Sequence, residues 1–131
     1  MGPEPLGPND TDFLNSARDT LKISDILNHS AVKVQLDAKA LVENKEDGHQ
    51  TFEITANKLV HFHANEPSLG ILGSSGLVDH AKFAKSLKTI GYSGYISIEQ
   101  RQFDPASTIQ NIKQSIVVLK NTYGRILCSP D

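Results

Sequence analysis

The chain has 131 residues, 38% of them hydrophobic and 21% charged, with a formal net charge of −2. That is enough for one domain with a core. It leaves no basic block for nucleic acid or an anionic membrane, and no apolar run near the roughly 20 residues a membrane span needs. The lone Cys128 rules out an internal disulfide and suits a reducing compartment. The opening Met1-Gly2-Pro3-Glu4 lacks the basic and apolar regions of a signal peptide, so a cytoplasmic location is expected.

Residues 12–27 read as a helix, with Phe13, Ala17 and Leu21 four apart and Asp10 or Thr11 as cap. Residues 31–37 alternate and are rich in β-branched side chains, which predicts a strand. A short helix is expected over 50–57 and a second strand from Lys58 to His63. A Gly- and Ser-rich loop runs from Ala64 to Leu77. The next helix spans 79–90, capped by Asp79, carrying Phe83, Leu87 and Ile90, and stopped by Gly91. Tyr95 to Glu99 is the third strand. The last helix opens at Asp104-Pro105, a cap followed by proline at the first helical position. It carries Ile109, Ile112, Ile116 and Leu119 and ends at Gly124, leaving 125–131 as a tail.

Strands alternating with helices predict a parallel sheet with helical crossovers. Within the strands, Val32, Val34 and Leu36 oppose Lys33, Gln35 and Asp37. Val60 and Phe62 oppose His61 and His63, and Ile96 and Ile98 oppose Tyr95, Ser97 and Glu99. A doubly wound sheet, covered on both faces, shows nearly continuous apolar strands. One apolar and one polar face suits a barrel whose polar side lines the lumen. An open sheet with one solvated face is the alternative. Asp37, His63 and Glu99 each end a strand on the polar face. Parallel strands gather such ends at one rim, where barrel enzymes carry their sites. Carboxylates with one imidazole suit Mn²⁺, Mg²⁺, Co²⁺ or Zn²⁺, although each residue taken singly also reads as a helix cap or a packed histidine.

Three stretches then carry a resemblance: His61-Phe62-His63-Ala64-Asn65-Glu66-Pro67, Gly76-Leu77-Val78-Asp79, and Leu87 through Glu99 with its Tyr95-Ile96-Ser97-Ile98-Glu99 strand. Together with Glu4-Pro5-Leu6-Gly7-Pro8 and Thr11-Asp12-Phe13-Leu14-Asn15-Ser16 they resemble the xylose isomerase-like TIM-barrel family of sugar phosphate isomerases and epimerases. The resemblance implies the C-terminal half of a (β/α)₈ barrel. Residues 1–10 would be the remnant of strand five with its loop, and the three predicted strands would be strands six, seven and eight. It also implies a divalent-metal site of Glu4, Asp37, His63 and Glu99. Glu4 and Glu99 would be the catalytic pair that removes and returns a proton through an enediolate, and the substrate would be a small keto-sugar or polyol. His61 and Glu66 are candidate substrate contacts.

The sequence departs from the family where members often carry a substrate-binding His three residues after the strand-six Asp, here Ala40. It departs again at an Arg six residues after the strand-seven ligand, here Leu69, and in the loop Gly70 to Gly76. These departures weigh against ketose 3-epimerase activity and leave the metal ligands in place. A full barrel needs roughly 250 residues. Completion is therefore expected from a longer parent, a second copy forming a homodimer, or a separate N-terminal half-barrel partner. A non-catalytic half-barrel serving as an assembly module is the alternative function. A DNA-repair endonuclease of the same fold ranks below both, because it would need further histidine ligands and a basic surface.

Overall fold

The computed structural model describes residues 2–129, so residue 1 and the last two residues of the expected 1–131 segment lie outside the described residues. Three parallel strands, β1 (Val34–Asp37), β2 (Leu59–Ala64) and β3 (Tyr95–Ile98), lie in the order β1-β2-β3. Between them run α1 (Ala17–Leu27) before β1, α2 (Ala38–Glu43) and α3 (His49–Thr55) before β2, and α4 (His80–Thr89) before β3. A 3₁₀ turn at Pro105–Ser107 leads into α5 (Thr108–Leu119), a π turn over Lys120–Gly124 and α6 (Arg125–Leu127). Parallel strands alternating with helices, in a sheet of order β1-β2-β3, are the α/β arrangement of a partial barrel.

The apolar strand face is the packed one. Val34, Leu36, Phe62 and Ala64 are fully buried, and Phe62 meets the rings of Phe52 (α3), Phe83 (α4) and Tyr123 (π turn) at centroid distances of 6.0, 5.9 and 5.9 Å. The polar face carries the half-buried Gln35, His61, His63 and Ser97. Val60 departs from the expected alternation. Val34 pairs with Leu59 but Gln35 pairs with His61, so Val60 is an extra residue, a bulge that turns it toward solvent at 40% exposure.

Helix ends follow side-chain chemistry more than periodicity. α1 starts five residues later than expected because Ser16 accepts from Asp19 N–H at 3.0 Å and Glu46 accepts from Ala17 N–H at 2.8 Å. Phe13 consequently lies in a loop, 66% exposed. Asp79 caps α4 through Lys82 N–H. Gly91, at φ +69°, ends that helix with its N–H on Lys88 and the Tyr92 N–H on Leu87, the paired bonds of a Schellman motif. α2, absent from the expectations, begins directly on Asp37. Gly124 does not end the last helix, which continues to Leu127 through the π turn, so 125–127 are helical rather than tail.

α5 turns Ser115 inward, where its hydroxyl donates to Gln100 Oε1 at 2.5 Å and accepts from Leu72 N–H at 2.9 Å. This leaves Ile109, Ile112, Ile116 and Val117 on the outside, beside the open edge of β3. Residues 2–10 form no strand, but Gln35 N–H donates to the Pro3 carbonyl at 3.2 Å and sets the segment against β1. Among the described residues no helix is long and apolar enough to cross a membrane.

Candidate metal centre

Register brings the strand ends together. Asp37 pairs with His63 and His63 with Ser97, so Glu99, two residues on and just past β3, keeps the same facing. The Glu99 N–H donates to the Ala64 carbonyl at 3.2 Å, which fixes where it leaves the sheet. Glu4 arrives from the segment tied to β1. His63 Nδ1 then lies 3.0 Å from Glu4 Oε1, 3.7 Å from Glu99 Oε2 and 3.8 Å from Asp37 Oδ2. One ligand atom each from Glu4, Asp37 and His63 falls within 4.8 Å of the others.

The electrostatics of this cluster favour a cation. Asp37 is 5% exposed. Burial, with the Glu4 and Glu99 carboxylates adding to it, pushes its carboxyl up to about 7 despite the Ala40 N–H and Asn65 amide that favour the charged form. Glu4 Oε1 is buried without a hydrogen bond: it sits near His63 Nδ1 but out of line for one. An orphaned carboxylate oxygen facing two more carboxylates and an imidazole is a donor set that fits a hard or borderline divalent ion. The four residues Glu4, Asp37, His63 and Glu99 could hold one.

Asp37 is also the cap of α2, its Oδ1 accepting from Ala40 N–H at 2.8 Å, so the helix-cap reading and the ligand reading apply to different oxygens of one carboxylate. His61 faces the same side, with Nε2 2.8 Å from Ser97 Oγ and its ring edge-on to His63 at 4.9 Å. Burial, then the neighbouring His63, holds His61 below the ordinary imidazole range. Two residues not singled out from the sequence complete the cluster. Gln35 Nε2 lies 3.1 and 3.2 Å from the two His63 ring nitrogens, and Asn65 reaches both Asp37 and Glu99. Gln35 had one legible signal, its place on the polar strand face. Asn65 had none beyond sitting two residues after His63.

Glu66 is placed elsewhere. It is fully buried, accepts from Gly73 N–H at 2.6 Å and from the Ser75 hydroxyl, and lies 2.7 Å from His80 Nε2, whose Nδ1 is 2.8 Å from the Tyr123 hydroxyl. With its oxygens bonded to Gly73, Ser75 and His80, this carboxylate braces the loop after β2 and lies apart from the Glu4, Asp37 and His63 cluster. His80→Ala would leave the Glu66 carboxylate without its main partner. We expect about 3 kcal/mol of destabilisation in urea unfolding with divalent-metal affinity unchanged; a selective loss of metal affinity would return Glu66 to the site.

A cleft of roughly 230 Å³ opens beside the cluster, lined among others by Leu6, Asp10, Lys39, Asn65, Leu69 and Glu99. Lys39 Nζ is held by Asp10 at 2.5 Å and lies 3.8 Å from Glu43. Ala40, at the position of the family histidine, is buried in α2 and presents no polar group.

The sequence matches the family described as xylose isomerase-like TIM barrel over residues 1–122. The chain belongs to this family. No curated protein matches it in sequence. Among solved structures it is similar to an L-ribulose 3-epimerase (TM-score 0.79, 19% identity, covering 94% of this chain and 46% of that one). It is similar also to a D-psicose 3-epimerase solved in the presence of D-fructose (TM-score 0.82, 19% identity, 94% and 49%). A third is a 3-keto-D-glucoside 4-epimerase from E. coli (TM-score 0.77, 22% identity, 90% and 44%). This xylose isomerase-like chain therefore spans less than half the length of these structures, and at such identities the likeness carries the fold.

Proposed function

We propose that this chain supplies the metal-binding half of a sugar isomerase or epimerase barrel, acting on a keto-sugar, free or phosphorylated, by proton transfer through an enediolate. The observation that carries this reading is the meeting of Glu4, Asp37, His63 and Glu99 at the strand ends, with Glu4 Oε1 buried and without a hydrogen bond. The family membership and the sugar epimerases among the structural neighbours support the substrate class. Glu4 and Glu99, 3.0 and 3.7 Å from His63 Nδ1, act as the acid–base pair: one takes the proton from the carbon next to the carbonyl and the other returns one. Asp37 and His63 anchor the ion (Mn²⁺, Mg²⁺, Co²⁺ or Zn²⁺), and His61 contributes a hydrogen-bonding wall. When bound, the ion supplies Lewis-acid stabilisation of the charge that builds on the substrate oxygens.

The remaining strands come from a longer parent chain, an N-terminal half-barrel partner or a second copy, docked on the open β3 edge and the exposed isoleucines of α5. That same apolar face favours a second reading, a non-catalytic half barrel that serves assembly. The two separate in one experiment. The chain is incubated with Mn²⁺ and a panel of keto-sugars in D₂O while NMR follows deuterium uptake and light scattering reports the assembly state. Uptake that disappears in Glu4→Gln and Glu99→Gln supports the enzyme. A metal-loaded chain that exchanges no sugar proton supports the assembly module.

A further inference from the structure

Asn65 is 1% exposed, and its side-chain amide makes three hydrogen bonds within the protein. Its Oδ1 accepts from Lys39 N–H at 2.8 Å. Because that backbone group can only donate, the side-chain oxygen must face it, and the NH₂ must face the other way. The two amide hydrogens then go to two different carboxylates, Asp37 Oδ2 and, at 2.9 Å, Glu99 Oε2. One neutral amide therefore spans from the end of β1 to the residue after β3, across β2, and each of its targets is a carboxylate of the cluster above. Asp37 and Glu99 repel each other, and this amide is the group among the described residues that bonds both.

Resting on the metal-site reading above, we propose that Asn65 is a positioning residue. It ties Asp37 to Glu99, setting the separation of the two carboxylates and dedicating one oxygen lone pair of each, so that the remaining lone pairs point toward His63 and Glu4. A donor with exactly two hydrogens suits this task. A serine has one hydrogen to give, and a lysine would bring a charge that competes with the cation. Outer partners of this kind typically change metal affinity by about 10–100-fold when removed.

The test uses the full chain and Mn²⁺ as probe. Asn65→Ala removes all three bonds. Asn65→Asp keeps the acceptor for Lys39 N–H and removes both donated bonds, which separates positioning from a merely structural role at the start of α2. We expect Mn²⁺ affinity to fall about 10–100-fold in Asn65→Ala, and the electron paramagnetic resonance spectrum of bound Mn²⁺ to change in both variants. A wild-type spectrum and affinity in Asn65→Asp would overturn the proposal and leave Asn65 as a helix-start acceptor. The metal-free protein gives a second, independent readout: the Asn65 side-chain amide protons should exchange slowly in the wild type and shift in Glu99→Gln. Freely exchanging amide protons would overturn the brace whatever the metal does. Slow exchange in a chain that binds no Mn²⁺ would instead overturn the metal reading and leave the brace standing.

Discussion

Calorimetric titration should find Mn²⁺ binding to the chain abolished in His63→Ala and weakened by more than about 100-fold in Glu99→Gln, a larger loss than an outer partner would cause. His63 is the residue every other member of the cluster approaches: Glu4 at 3.0 Å, Glu99 at 3.7 Å and Asp37 at 3.8 Å. Removing the ring takes away a ligand and the common neighbour that orders the three carboxylates. Glu99→Gln keeps the shape and the hydrogen-bond acceptor for Asn65 but subtracts one negative charge, so its effect isolates charge from packing. Neither position lies in the aromatic core around Phe62, so both variants should still unfold cooperatively from a folded state. Unchanged affinity in the two variants would dismiss these residues as ligands.

The second large effect concerns stability. Asp37, held up to about 7 by burial, prefers its neutral form in the metal-free fold, whereas in the unfolded chain it ionises near 3.8. Between these values the folded state holds the extra proton, so the metal-free protein should lose stability as pH rises from about 4 to about 7 and stay at the lower level beyond. Asp37→Asn removes this slope. Asparagine also caps helices well, so Ala40 N–H keeps an acceptor, while the Asn65 amide hydrogen that reached Asp37 Oδ2 loses its own and takes back part of the gain. At pH 8 the variant should therefore be more stable than the wild type by up to about 4 kcal/mol in urea unfolding without metal, and it should bind Mn²⁺ poorly. Equal stability at pH 8 would mean that the ionised carboxylate is not under strain. The arrangement would be a local sacrifice of stability for a site that a cation completes.

Much of this was legible in the sequence because it depends on period and parity. The three strands, α3, α4 and the shared facing of Asp37, His63 and Glu99 on the polar side of the sheet follow from alternation and from caps such as Asp79. What escaped depended on partners distant in the chain. The late start of α1 is decided by Glu46, 29 residues from the helix end it caps. The outward isoleucines of α5 are decided by Ser115 finding Gln100 and Leu72. Glu66 read as a loop carboxylate because nothing local announces that His80, 14 residues on, will bury it. Asp37 showed the opposite difficulty, since cap and candidate ligand are written with the same residue type and only the fold gives each oxygen its own task.

The bulge at Val60 has a consequence for how this strand can be copied or recombined. Leu59 belongs to the core and His61 and His63 to the lumen, although all three sit at odd positions and an unbroken strand would put them on one side. The extra residue works as a frame shift in three dimensions: below it the odd positions are in phase with the helices, above it with the polar face that carries the histidines. A graft of β2 into another barrel, or an alignment that closes this one-residue gap, would deliver the same letters out of phase, with the histidines facing the core or Leu59 facing the lumen.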